Sequence, residues 1–223
     1  MHGNFPGEFD GNPWYTRFSA TPFPNLFFTR PMENEEHDIF FNVINRFVGF
    51  YSRDAARETR NDTDCEYPFV AMDTRQIFAQ LRFVSDFLGL DRDEPPAPMP
   101  RFLDVGCGIG NVLLIAEQFG FEVYGIEKDD YSFPIAAKLI GEDRIAQADI
   151  WKYGNYNEYE VIYYYRPFSG RVQQLRFEKL IEDSMKTGAL LIANHKNSDA
   201  IAQDRRFERL SPSLPIWRKM SAP

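Results

Sequence analysis

The stretch that most limits what this chain can become runs from Phe102 to Glu127. It reads F-L-D-V-G-C-G-I-G-N, then V-L-L-I-A-E-Q-F-G-F-E-V-Y-G-I-E. A short apolar run, Phe102, Leu103 and Val105, stops at three alternating glycines, Gly106, Gly108 and Gly110. A helical pattern follows at once through Val112, Leu113, Ile115 and Ala116, and Gly120 stands where that helix should end. A second apolar run, Val123–Ile126, finishes on Glu127. The order is strand, glycine turn, helix and strand, with a carboxylate at the second strand's tip. Glycines let a backbone approach a ligand closely, and a carboxylate can accept both hydroxyls of a ribose.

The spacing speaks to the ligand. A dinucleotide fingerprint is G-x-G-x-x-G, with the pyrophosphate resting on a helix N-terminus. Here it is G-x-G-x-G, and Asn111 occupies the place of the third glycine. That spacing opposes a nicotinamide dehydrogenase. Asp104, two residues before the first glycine, would sit badly beside a diphosphate and well beside a cationic amino acid. D-V-G-C-G-I-G therefore resembles motif I of the class I S-adenosylmethionine-dependent methyltransferases. The resemblance implies an α/β, Rossmann-like sheet flanked by helices, with S-adenosyl-L-methionine as cofactor.

The rest of the chain fits around that unit. Residues 1–33 hold eight aromatics without helical or strand period and read as an irregular arm. Such an arm is expected to lie across a groove or a partner subunit, which makes an oligomer an option. Asn34 reads as the N-cap of a helix whose apolar positions include Phe40, Val43, Ile44, Phe47, Phe50 and Tyr51, followed by a charged stretch over Arg53–Glu66 that is a loop or a fraying end. Asp73 or Thr74 caps a second helix carrying Ile77, Phe78, Leu81, Val84, Phe87 and Leu88. Asp91–Pro100 is a stiff proline linker. The expected division is an arm at 1–33, a helical extension with linker at 34–100, and the cofactor domain at 101–223.

After Glu127, the pattern predicts a helix at Tyr131–Ile140 and strands at Arg144–Gln147 and Glu160–Tyr165. A helix at Val172–Met185, a strand at Ala189–Asn194, a helix at Ser198–Leu210 and a strand around Ile216–Lys219 follow. The remaining length suggests a shortened C-terminal end, with room for six strands rather than the seven of the family.

Open α/β sheets bind ligands at the carboxyl ends of their strands. Cofactor contacts are therefore expected from Asp104, Val105, Gly106, Cys107, Gly108, Gly110, Asn111, Glu127, Lys128, Asp149, Ile150 and Tyr164. In the family an acidic residue at the place of Asp149 faces the adenine amino group. Tyr164 and Arg166, at the end of the fourth strand, are the candidate catalytic residues. Alternation points Tyr163 and Tyr165 to one face and Tyr164 to the other.

Tyr165-Arg166-Pro167-Phe168 departs from the Asn/Asp-Pro-Pro-Tyr/Phe motif of amino-directed base methyltransferases, and no cysteine nucleophile follows strand four. Val161–Lys196 is loosely similar to protein-lysine methyltransferases of the seven-strand type. In those, a Pro-Thr-like segment ahead of motif I helps enclose the cofactor, which brings in Thr74. Asp73 stands where they have proline.

Composition sets the outer bounds. The net charge is −8, but residues 1–159 hold 14 Lys and Arg against 26 Asp and Glu, and residues 160–223 hold 11 against 7. The bulk is acidic, which disfavours a nucleic-acid partner. Two cysteines and three scattered histidines offer no disulfide framework and no metal site. No run reaches membrane-spanning length and no signal pattern opens the chain, so a cytoplasmic protein is expected. The reading is a methyltransferase acting on a protein amine or a small molecule. Its alternative is a non-catalytic methyltransferase-fold interaction module.

Overall fold

A computed structural model describes residues 34–90 and 96–221. The aromatic arm at 1–33 and residues 91–95 of the proline linker lie outside the described residues. Two helices come first, α1 (Asn34–Glu58) and α2 (Thr74–Leu88). The first runs further than its apolar spacing predicts, into the charged stretch after Arg53. Ala55 is fully buried there, and Arg57 pairs with Asp54 at 2.9 Å. Asp73 is the N-cap of α2, accepting from the backbone N–H of Arg75 at 2.9 Å and Gln76 at 3.1 Å.

The alternating α/β pattern follows: β1 (Arg101–Val105), α3 (Asn111–Glu117), β2 (Glu122–Glu127), α4 (Ser132–Ile140) and β3 (Ile145–Gln147). Then come β4 (Val161–Tyr165), α5 (Arg171–Ser184), β5 (Leu190–Asn194), β6 (Phe207–Arg209) and β7 (Ile216–Lys219). The strand order is β3-β2-β1-β4-β5-β7-β6. The first five strands are parallel, and β7 runs antiparallel to both β5 and β6. This is the sheet of the class I methyltransferases.

The sheet therefore has seven strands, not six, and the helix expected at Ser198–Leu210 is absent. A short 3-10 turn at Ala200–Gln203 takes its place, followed by β6. The Asp204 carboxylate explains the change. It accepts from the Arg206 backbone N–H at 2.9 Å and from the Arg206 guanidinium, a local bond that competes with helix propagation. Ser211 Oγ then accepts from the Leu214 N–H at 3.1 Å, tightening the link into β7 so that both strands fit.

Side-chain alternation gives the sheet two apolar faces. Phe102, Tyr163 and Ile192 join α1, α2, α3 and α4 on one side. Leu103, Val105, Ile162, Tyr164 and Leu191 pack with Phe177 and Ile181 of α5 on the other. Among the described residues, no helix is long and apolar enough to cross a membrane.

The loop after β5 is held by a buried ionic cluster. Glu178 is 2% exposed. It accepts from the backbone N–H of Asn197 at 2.6 Å and Ser198 at 3.1 Å, and from Lys196 Nζ at 3.1 Å. Lys196 also reaches Glu182 at 2.5 Å. Breaking a buried pair leaves an uncompensated charge, which costs about 3–5 kcal/mol. Glu178→Ala is expected to lose that much stability in urea unfolding. A loss below about 1 kcal/mol, as for an exposed pair, would show that Glu182 alone holds the loop.

Candidate active site

A cavity of about 320 Å³ opens at the carboxyl ends of β1, β2, β4 and β5. The chain order reverses between β1 and β4, and open sheets bind ligands in the crevice outside such a point. The glycine turn forms the floor. Gly108 has φ +54, and a Cβ there would collide with the Phe69 ring, so a side chain at this position is strained and must displace the ring. Gly106 and Cys107 donate their N–H groups to the Ile126 carbonyl at 2.9 Å each, which fixes the turn to the tip of β2.

Glu127 closes this arrangement. One carboxylate oxygen accepts from Gly108 N–H at 2.8 Å, and the other from Lys128 and Asp129 N–H at 2.8 Å each. Burial pushes its carboxyl above the ordinary range, and the three N–H donors oppose that rise. Asp104 is buried beside it. Burial, with the Glu127 charge adding to it, holds the Asp104 carboxyl well above the usual value. Three further polar atoms in the cavity wall are buried without a protein partner: Asn111 Nδ2, Asp129 Oδ2 and Ser132 Oγ. A buried polar atom left unpaired costs free energy, so a cluster of donor and acceptor atoms at one wall fits a polar ligand.

The cavity wall also brings together Gly106, Cys107, Gly108, Lys128, Asp149, Ile150 and Arg166 of the residues singled out in the sequence. Asp149 serves its local turn as well, accepting from the Trp151 N–H at 2.9 Å. Lys128 is paired with Glu66 at 2.6 Å. Arg166 has φ +24, and its guanidinium lies 5.5 Å from the centre of the Tyr67 ring.

Four expected residues stand elsewhere, and each correction has a physical cause. Val105 points to the far face of the sheet and packs with Ile126 and Tyr164. Gly110 begins α3, and a Cβ on it would press on Ala136 and Ile140 of α4 at 3.4 Å, so it serves helix packing. Thr74 donates its hydroxyl to Asn45 Oδ1 at 2.6 Å, tying α2 to α1. Tyr164 is fully buried on the far face, its ring edge-on to Phe177 at 5.0 Å. Burial raises its phenol, with Glu178 and Glu182 adding to the effect.

The β4 tyrosines that do line the cavity are Tyr163 and Tyr165, the pair that alternation set on one face. Tyr163 is buried and its hydroxyl approaches Met72 Sδ at 3.2 Å. His195, one residue past β5, also lines the wall, as do Asp129 and Ser132 just past β2. For His195 and Asp129 the signal is position within two residues of the end of a parallel strand, and Ser132 opens the helix that follows β2.

The segment Tyr67–Met72 forms the roof. It is tied down by Tyr67 N–H to the Pro167 carbonyl and Ser169 N–H to the Cys65 carbonyl, both 3.1 Å. Such long-range pairing leaves no local pattern to read. Among the described residues, no group of three or more His, Cys, Asp or Glu is placed to hold a metal ion.

No protein-family model matches the chain, and no curated protein matches it. Solved structures that resemble it include an RNA methyltransferase from Salinibacter ruber in complex with S-adenosyl-L-homocysteine, at 15% identity, 69% of this chain, 96% of that chain and TM-score 0.48. CalS10, an amino pentose methyltransferase from Micromonospora echinaspora, aligns at 16% identity, over 57% of this chain and 58% of that one, with TM-score 0.42. DesVI of Streptomyces venezuelae aligns at 14% identity and TM-score 0.41, over 54% of this chain and about half, 51%, of that one. The order and directions of the strands, rather than these likenesses, identify the fold.

The buried Asp104 carboxyl has a measurable consequence in the ligand-free protein. Its folded value lies above the unfolded one, so between the two the folded state binds the extra proton and stability falls as pH rises. The window opens at the ordinary aspartate value of 3.8 and extends upward. Asp104→Asn is expected to be more stable than the parent at neutral pH and to lose part of this downward slope in urea unfolding between pH 4 and 8. Parallel stability curves for the two proteins would show that Asp104 is charged and well solvated.

Proposed function

We propose that this protein transfers the methyl group of S-adenosylmethionine to a protein amine or a small molecule. The observation that carries the reading is the cluster of unpartnered buried atoms, Asn111 Nδ2, Asp129 Oδ2 and Ser132 Oγ, beside the Glu127 carboxylate at the glycine turn. A ligand with ribose hydroxyls, an amino group and a carboxylate offers the mixed donors and acceptors that this set lacks. The residues present therefore fit the cofactor. Glu127 Oε2, which accepts from Gly108 alone, keeps accepting capacity for a ribose hydroxyl, whereas Oε1 already accepts from both Lys128 and Asp129. Asp149 and Ile150 would hold the adenine, the first by a hydrogen bond and the second by contact. Asp104, buried and two residues before the first glycine, suits a cationic ligand and opposes a diphosphate.

Bound there, the cofactor supplies an activated methyl group on a positively charged sulfur. The protein's own part is alignment and exclusion of water, and alignment alone is worth about 7–11 kcal/mol in favourable cases. The Tyr67–Met72 roof and the aromatic wall of Tyr163, Tyr165 and Phe168 supply that enclosure. An enclosed, apolar wall also disfavours the ammonium form of an amine, the form that cannot accept a methyl group.

S-Adenosylhomocysteine is expected to raise the melting temperature in proportion to its saturation, and NAD is expected to leave it unchanged. Glu127→Ala removes charge-assisted acceptors, each worth roughly 1.5–3 kcal/mol, so calorimetry should show at least tenfold weaker binding of S-adenosylhomocysteine. No melting shift at millimolar S-adenosylhomocysteine would overturn the reading.

A further inference from the structure

Two openings meet at one imidazole. A second, shallower groove runs between α2 and the link joining β6 to β7, lined by Arg75, Gln76 and Ala79 on one side and Ser213, Leu214 and Pro215 on the other. Met72 and His195 line both this groove and the main cavity. Met72 and His195 are therefore the wall that the groove and the cavity share, next to the strand tips that carry Tyr163 and Tyr165.

His195 is held there at a conformational cost. Its φ is +54, in the left-handed region that residues with a side chain seldom occupy, histidine more readily than most. The chain is pinned on both sides. Before it, the Asn194 amide exchanges two hydrogen bonds with Gln80 of α2, at 2.7 and 3.2 Å, in a buried setting. After it, Lys196, Asn197 and Ser198 are all bound by Glu178 of α5. The ring stands edge-on to Tyr165, centroids 5.2 Å apart, and makes no hydrogen bond with the described residues. Two buried polar clamps thus hold a titratable ring whose nitrogens are both left open. Strain kept in place in this way gathers where a side chain must be aimed.

We propose that His195 takes the proton that the methyl acceptor must lose, and that the groove along α2 is the acceptor's entrance; this rests on the methyl-transfer reading above. The acceptor's lone pair forms the new bond to the methyl carbon. The carbon–sulfur bond breaks with its electron pair left on sulfur, and the N–H or O–H proton passes to the imidazole and then to water. A positioned base of this kind belongs to acceptors that carry a proton on the reacting atom.

The groove also limits the acceptor's charge. Arg75 is the cation among its lining residues and is already bonded to Asp38 at 2.7 Å. On the main cavity, Lys128 is paired with Glu66 and Arg166 reaches the Phe168 and Ser169 carbonyls, while Glu127, Asp129 and Asp149 are the acidic lining. A nucleic-acid backbone is held by unpaired cations, which the groove does not offer. The acceptor is an uncharged hydroxyl or free-base amine on a small molecule or a side chain.

The test needs no identified acceptor. His195→Cys places a nucleophilic thiol where the proposal puts the reacting atom's neighbour. Incubated with S-adenosylmethionine, that thiol is expected to gain a methyl group, read as a 14-dalton increase on its peptide by mass spectrometry. Cys65 and Cys107 map to other peptides and serve as internal controls. With S-adenosylhomocysteine saturating the main cavity, the same thiol is expected to react with iodoacetamide at an undiminished rate, because the groove stays open. An unmethylated thiol in a variant that binds S-adenosylhomocysteine normally overturns the base. Full protection from iodoacetamide overturns the entrance. If the variant does not fold, diethyl pyrocarbonate on the parent protein decides the entrance: His195 must be modified equally with and without S-adenosylhomocysteine. Failure of the parent to bind S-adenosylhomocysteine at all is a separate result, and it would sink the methyl-transfer reading itself.

Discussion

The Glu127 carboxylate ties the glycine turn to the stretch where β2 leaves the sheet, adding to the bonds from Gly106 and Cys107 to the Ile126 carbonyl. Its oxygens hold the N–H of Gly108 in the glycine turn, and those of Lys128 and Asp129 where β2 passes into α4. Placing a buried carboxylate there is unfavourable by itself, and three charge-assisted bonds offset the loss of water. The turn and the following loop are then fixed relative to each other before any ligand arrives. Preorganised N–H donors and carboxylates need not reorient on binding, which is where affinity is most easily lost.

The cost of such a site falls on the rest of the sheet. Asp104 is buried in the middle of β1, between Leu103 and Val105, which serve the opposite core. Period two makes this possible: one face of the strand end carries the acid while the other carries apolar contact. Each fully buried apolar side chain contributes roughly 1.5–3 kcal/mol, so a few of them offset one uncomfortable carboxylate. Of the buried polar atoms without partners among the described residues, those of Asn111, Asp129 and Ser132 line the cavity, and the Tyr164 hydroxyl lies on the far face of the sheet against α5.

Much of this was readable from residue order. The βαβ unit, its glycine turn, the strand ending on Glu127 and the α2 cap at Asp73 all follow from local rules. So did the split between Tyr163 with Tyr165 and Tyr164. Alternation could not say which face held the cavity, because that depends on where α2 and the Tyr67–Met72 segment pack. The missed β6 strand has three residues, two of them charged, and no apolar period to find. The roof was illegible for a different reason. Its bonds run from Cys65 to Ser169 and from Tyr67 to Pro167, about a hundred residues apart, and such contacts leave no periodicity.

That roof also bridges the two rims of the cavity. Lys128 follows Glu127 at the end of β2, and Pro167 follows β4. Glu66 pairs with the first and Tyr67 bonds the second, so adjacent residues of one segment grip both rims. Phe69 then lies against Gly108 in the middle of the span. With a Cβ at that position, the Phe69 ring would have to shift. The glycine at position 108 therefore answers two demands, a positive φ in the turn and room for the roof. That second demand comes from packing, not from the ligand.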